Sequence, residues 1–389
     1  MSVTAPEGFV AAGGSAGIKA AGVPDVAVVV TDDGRAVPAA GVFTSNLAAA
    51  APVQISRAHL QATAGRAAGV ILTSGNANAA TGEPGRDAAS RLCGAVALGI
   101  GARPDEVLVC QTGLIGIPFP LAAVEPHLEG IVAARRGDPE SGAAAARAIM
   151  TTDTVPKVAL ERGRGFTVGA MAKGAAMLAP NMATMLALCT TDAAVDPGTL
   201  RTALRAAVDA SFNVMTVDGC TSTNDTVLVL ASGRGATPSP ADLTAALTSV
   251  CTALSEQMVD DAEGATKVSH VRVTGAESDA AAHTAARKVA DSMLVQCSLN
   301  GEDPYWGRVV SELGSAGVGF DVDKVSVAYG GVVVCAGGVA AAHDGAAVAA
   351  HLAGRHIELT CDLGLGRGAA AVLGTDLGYG YIDENRTTS

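Results

Sequence analysis

Residues 171–190, near the middle of the chain, constrain its fold more than any other stretch. They open with small residues and a single cation, Lys173, and are halted at Pro180. Proline has no N–H to donate and pushes the preceding residue, Asn181, out of the helical region. The run 182–188 that follows is apolar and short enough to be a buried strand. Near its head, behind the small Ala183, stands one hydroxyl, Thr184. The plainest reading of that residue is a β-branched strand position whose hydroxyl is satisfied by a neighbouring carbonyl.

Away from this stretch, the first third alternates short apolar runs with turns. Residues 25–31, 36–43, 51–55, 69–73 and 106–110 read as strands by length and β-branching. A helix is expected over 85–97, and another over 135–150 with Asp138-Pro139 as its start signal. Asp196-Pro197 and Ser239-Pro240 open two more, and 226–231 and 267–274 read as strands. The pattern restarts near residue 275, with helices over 278–289 and 307–313, a strand over 294–299, and three later strands. Two domains are therefore expected, 1–275 and a smaller α/β domain 276–389. Strands outnumber crossover helices, which argues against a doubly wound sheet.

Composition narrows the function classes. A formal charge of −12 disfavours nucleic acid, since neutralising phosphates takes clustered Lys and Arg. No run approaches the ~20 apolar residues of a membrane-spanning helix, and the first residues lack the basic and apolar regions of a secretory signal. Eight cysteines lie scattered with no Cys-x-x-Cys pair, so reduced, buried thiols in a cytoplasmic protein are expected, and no metal site.

Several clusters can carry chemistry. Thr112 and Gly113 follow the apolar run 106–110, and a glycine beyond a strand lets backbone N–H groups approach a ligand closely. With the adjacent hydroxyl they form a candidate oxyanion site; the plainer reading is a glycine turn. Thr184 has a sharper reading too. If the chain cuts itself between Ala183 and Thr184, the threonine becomes a new N-terminus with its hydroxyl as nucleophile and its own α-amino group as base. That amine titrates near neutrality, at roughly 7.7–8.0, so no histidine is needed. The Asn- and Gly-rich run 74–79 supplies amides at a strand end, for turn formation or for a ligand. Residues 364–369 fit a Gly-x-Gly-x-x-Ala fingerprint, but too few residues follow for a dinucleotide-binding unit.

The run Lys173-Gly174-Ala175-Ala176-Met177-Leu178-Ala179-Pro180-Asn181-Met182-Ala183-Thr184 resembles the self-cleavage signature of the ornithine acetyltransferase (glutamate N-acetyltransferase) family of arginine biosynthesis. The blocks 16–19, 41–46, 74–79, 151–153, 222–225, 261–267 and 303–308 are similar to the family's in the same order, so the resemblance covers nearly the whole chain. It implies a layered helix–sheet–sheet–helix sandwich, an α/β (α+β) fold resembling but topologically distinct from N-terminal-nucleophile hydrolases. It also implies two chains, 1–183 and 184–389, associated as two of each. The implied reaction is a ping-pong transfer of acetyl from N-acetylornithine to glutamate through an ester on Thr184. Acetyl-CoA is a further possible donor, and no tightly held cofactor is implied.

By the same resemblance, Thr112 and Gly113 form the oxyanion hole, and Thr151, Lys173, Thr184, Glu263, Asn385 and Ser389 contact substrate. The chain departs from the family where Ala262 replaces Gly, where Cys220 replaces an acidic residue, at Gln296-Cys297 in place of Lys-Thr, and in a tail one residue short. The departures at 220 and 296–297 bear on the amine substrate, leaving open a paralogous acyltransferase of specialised metabolism. Two other readings compete. An aminopeptidase or amidase of similar fold would keep Thr184 but need no acceptor, and a non-enzymatic scaffold would stay uncut and form no acyl adduct.

Overall fold

The computed structural model describes residues 2–177 and 185–386. Ala183, Thr184 and Ser389, and with them the expected cleavage point, lie outside the described residues. The chain divides into two compact units, one holding residues up to 213 and 220–258, the other 214–219 and 259 onward.

In the first unit two sheets lie face to face. The first has the order Phe9–Gly14, Val26–Thr31, Gly69–Asn76, Val107–Leu114, with only the last pair parallel. Side chains alternate across a strand, and this alternation sorts the sheet's apolar residues. Val26, Val28, Val30, Ile71, Val107 and Val109 face one way. They pack on Leu92 and Val96 of the helix Gly82–Ile100 and on Val124 and Leu128 of the helix Leu121–Ala133. Ala27, Val29, Val70, Leu72 and Leu108 face the other way and meet Met171, Leu186, Leu188, Leu228 and Leu230 of the second sheet.

That second sheet runs Arg66–Ala67, Val37–Phe43, Thr226–Ala231, Leu186–Thr191, Thr167–Lys173, Lys157–Arg162. Its central pair, Thr226–Ala231 with Leu186–Thr191, is parallel and buried throughout. Burial on both faces is why these strands read as continuous apolar runs. The helix Pro197–Asp209 packs on Val37–Phe43 and Thr226–Ala231. Gln257 of the helix Pro240–Asp260 exchanges hydrogen bonds with the Val158 backbone. The layers are helix, sheet, sheet, helix, as expected.

The second unit is built on one sheet, in the order Val339–Ala340, Val332–Ala336, Ser326–Tyr329, His356–Asp362, Val268–Ala276, Gly368–Thr375. The helix Asp279–Ala290 covers it with Ala282, Ala285, Ala286 and Val289 against Val271, Val273 and Val372. Residues 364–369 lead from His356–Asp362 into the antiparallel strand Gly368–Thr375, not into a helix, so the dinucleotide fingerprint is a turn.

Two expected strands are helices. Residues 51–55 open the helix Ala51–Ala62, with Pro52 in its first turn and Ala51, Pro52, Val53 and Ser56 on the buried face. Residues 294–299 lie in the helix Met293–Asn300, whose buried side carries Val295, Gln296, Ser298 and Leu299 while Met293 and Leu294 are exposed. The helix expected over 135–150 is shorter, Pro139–Ala148, and starts at Asp138 as read, its carboxylate accepting from the Ser141 N–H. The compact units divide between 258 and 259, ahead of the turn near 275 where sequence placed the boundary. Among the described residues no helix is long and apolar enough to cross a membrane.

Candidate active site

In the first unit the site is assembled where two strand ends meet. Thr112 and Gly113 close the strand Val107–Leu114, beside Ser74 and Gly75 of its parallel neighbour. Gly113 has φ +133, and a Cβ there would lie 2.2 Å from the Gly75 carbonyl carbon and 2.4 Å from the Asn76 nitrogen. Only a residue without a side chain fits this approach. Thr112 is buried, and its Oγ1 accepts a long hydrogen bond of 3.4 Å from Lys173 Nζ. With its lone pair engaged by a cation, the Thr112 hydroxyl keeps its single proton for another acceptor.

The edge carrying Thr112 is fixed by side-chain amides. Asn224 Nδ2 donates to the carbonyls of Ala77 (2.6 Å) and Gln111 (2.8 Å). Asn78 Nδ2 donates to Gln111 Oε1 (2.7 Å) and to the Gly85 carbonyl (2.8 Å). Asn76 Nδ2 reaches the carbonyls of Ile117 and Pro118, and its Oδ1 accepts from the Asn78 N–H. The Asn-rich run 74–79, ambiguous in the sequence, is thus turn chemistry that supports the Thr112 strand. Asp25 works similarly on the block 16–19. Its carboxylate accepts the N–H groups of Ala16, Ile18 and Lys19 at 2.6, 2.7 and 3.1 Å. Lys19 Nζ then donates to the Met150 carbonyl, one residue before Thr151. Burial lowers the Lys19 pKa, with Asp25 opposing and Lys173 adding to the effect.

Lys173 ends the strand Thr167–Lys173 and pairs with Leu186 on the antiparallel neighbour. The residue after Thr184 is therefore held at a defined place: the Met185 N–H donates to Asp225 Oδ1 at 3.0 Å, and its carbonyl accepts from the Thr226 N–H at 3.1 Å. Asp225 is fully buried, and among the described residues its Oδ2 has no hydrogen-bond partner. Burial raises its pKa well above the ordinary carboxylate range, against the Met185 hydrogen bond and the Lys173 charge.

Thr151 enters through its backbone, its N–H donating to Asp153 Oδ2 at 3.0 Å. Asp153 Oδ1 accepts from Lys157 Nζ at 2.6 Å and from the Gly174 N–H at 2.7 Å. Burial alone would raise the Asp153 pKa, but Lys173 and Lys157 outweigh it and hold the carboxyl down at about 2. The sequence marks Asp153 only as part of the block 151–153. Its carboxylate is occupied by the protein, and Lys157, four residues on, was missed. An acid and a base at that spacing were the available signal.

The second unit holds the other two described candidates. Glu263 is buried, and its Oε2 accepts from Asn385 Nδ2 at 2.8 Å. The two backbone segments approach closely: a Cβ on Gly264 would fall 2.1 Å from the Tyr381 nitrogen. Tyr381 donates its hydroxyl proton to Asp218 Oδ2 at 3.1 Å. Gln296 is buried with its amide donating to the carbonyls of Val217 and Ala290. Among the described residues no histidine bonds to the Thr112 cluster; His59 bonds the Val107 carbonyl at the far end of the same strand, and His270 pairs with His356.

The ArgJ family model matches residues 10–387. The arginine biosynthesis bifunctional protein ArgJ of Thermobifida fusca is 46% identical over 391 residues, spanning 100% of both chains. That of Mycolicibacterium paratuberculosis is 49% identical over 396 residues, covering 100% of this chain and 96% of its own. Among solved structures, ornithine acetyltransferase of Mycobacterium tuberculosis complexed with ornithine matches at 43% identity. That alignment covers 46% of this chain and 94% of the other, with a TM-score of 0.44.

Proposed function

The chain belongs to the ArgJ family, and from that premise we propose that it is an ornithine acetyltransferase of arginine biosynthesis, bifunctional like its curated relatives. It moves acetyl from N-acetylornithine to glutamate and also makes N-acetylglutamate from acetyl-CoA. The chain cuts itself between Ala183 and Thr184, and the products stay together as two chains of each kind in the cytoplasm. No tightly bound cofactor takes part.

Thr184 Oγ attacks the acetyl carbonyl, with the new α-amino group taking the hydroxyl proton. The Thr112 hydroxyl and the Gly113 N–H stabilise the oxyanion. Ornithine leaves, an ester remains on Thr184, and the amine of glutamate attacks it in turn. Lys173 and Thr151 contact the amino-acid part of the substrates. The observation that carries this reading is the bond from Lys173 Nζ to Thr112 Oγ1, beside a Gly113 that admits no side chain. It leaves the Thr112 hydroxyl proton for another acceptor at a strand end, a donor of the type an oxyanion requires. The anchoring of Met185 by Asp225 and Thr226 supports a fixed position for the residue that follows the nucleophile.

The test is acceptor dependence. Purified protein given N-acetylornithine alone should release no more than one equivalent of ornithine per site, and continuous release should require glutamate. Acetyl-CoA with glutamate should also yield N-acetylglutamate. Continuous ornithine release without an acceptor would instead mark a hydrolase.

A further inference from the structure

One carboxylate in the first unit ties the stretch 151–157 to the segment 173–174, yet has no assigned part in the reaction. Asp153 accepts the Thr151 N–H, the Gly174 N–H and Lys157 Nζ, and the side chains of the Asp153–Lys157 pair are both 0% exposed. A buried ion pair is weak evidence for stability, because apolar replacements of similar size often hold a fold as well. What it does supply is a fixed geometry, and here the fixed atoms are those of the site. Gly174 is bonded directly to Lys173, and Lys173 is the donor to Thr112 Oγ1.

We propose that Asp153 is a positioning residue for acyl transfer, holding the 173–174 segment so that the Lys173 ammonium stays against the Thr112 hydroxyl. The inference rests on the reading of Thr112 as an oxyanion donor. The chain of effect is short. The Asp153 carboxylate fixes the Gly174 N–H and stands as a negative charge near the buried Lys173. Lys173, so placed, donates to the Thr112 oxygen, and the Thr112 proton is left to the oxyanion. With Asp153 neutral and its hold on Gly174 weakened, the hydroxyl is free to rotate and the donor is no longer pre-aimed. Pre-aimed donors are what make such sites effective.

Removing one partner of the pair risks unfolding, so the test replaces both, as Asp153→Asn with Lys157→Met, in wild-type and Thr112→Ala backgrounds. The readout is the single-turnover rate of acetyl-enzyme formation at saturating N-acetylornithine, followed by intact mass. The expected result is a slowing of about tenfold in the wild-type background and less than twofold when Thr112 is already Ala, since groups that act as a unit are not additive. Equal slowing in both backgrounds, as a purely structural role requires, overturns the proposal, and so does no slowing in either. A double variant that stays uncut where Thr112→Ala is cut also overturns it, because Asp153 would then not act through Thr112. Full activity of Thr112→Ala alone removes the oxyanion reading itself, whereas multiplicative losses remove only this inference.

Discussion

Replacing Gly113 by alanine is the sharpest test of the strand-end geometry. The added methyl would sit 2.2 Å from the Gly75 carbonyl carbon and 2.4 Å from the Asn76 nitrogen, both backbone atoms that no rotamer change can move. Ordinary carbon contacts are about 3.5–4.0 Å, so the two strands must part by on the order of 1 Å at this point. Overpacking of that kind costs about 1–3 kcal/mol, and a non-glycine residue in a sparsely populated backbone region adds about 1–3 kcal/mol. The consequence for chemistry is larger than for stability. Productive constellations tolerate displacements of only ~0.5 Å, and losing one oxyanion donor typically lowers kcat by about 10²–10³. Acetyl-enzyme formation in a single turnover should therefore slow at least about a hundredfold, in a protein whose circular dichroism still shows a cooperative melt. Gly116→Ala is the internal control: its φ is +82 but among the described residues nothing lies within 4 Å of the new methyl. It should lose about 1–2 kcal/mol of stability and keep near-normal activity. A folded Gly113→Ala enzyme within threefold of wild type would refute the reasoning.

Asp153→Ala leaves Lys157 buried without its partner and should destabilise the protein by about 3–5 kcal/mol in chemical denaturation. Because the folded Asp153 pKa is depressed, from 3.8 to about 2, its contribution of about 2 kcal/mol is complete above the unfolded value and disappears as pH falls toward the folded one. Wild type should therefore lose stability between about pH 4 and pH 2 more steeply than the Asp153→Asn, Lys157→Met protein; parallel curves would remove that assignment. Glu263→Gln, which weakens a charge-assisted contact to Asn385 of the kind worth about 1.5–3 kcal/mol, should raise KM for the amino-acid substrates by about tenfold or more with kcat less affected. Unchanged KM would take Glu263 out of substrate binding. The acid limb of kcat/KM should follow an α-amino group with an apparent pKa somewhere about 7–8 and persist in His270→Ala; its loss there would make a histidine the base.

The layered core was legible because its strands are buried on both faces. The runs behind Val26–Thr31, Thr226–Ala231 and Val107–Leu114 are β-branched and continuous, and such runs have few alternatives at that length. Short apolar windows misled where the helical face was longer than the window. Residues 51–55 look like a strand until Ser56 and the rest of Ala51–Ala62 are counted, and 294–299 until the Ser292 hydroxyl is seen capping the Val295 N–H. The helix Leu121–Ala133 escaped because Pro126 lies inside it, a residue that ordinarily argues against a helix. In the site, Thr112, Gly113 and Lys173 were visible as a glycine turn and an isolated cation. The meeting of Lys173 with Thr112 depends on pairing between strands distant in sequence. No local pattern encodes that pairing. Asp225 was equally hidden: within its block it reads as turn polarity, and only burial under Met185 marks it out.

Self-cleavage and the acetyl-threonine intermediate are both read from the intact mass of the purified protein, alone and after N-acetylornithine. Two polypeptides are expected, the second beginning at Thr184, with a gain of one acetyl group on that second chain alone. Thr184→Ala should give a single uncut chain that gains nothing. A wild-type protein that remains one 389-residue chain and is fully active, or that carries the acetyl group on the first polypeptide, would contradict this mechanism.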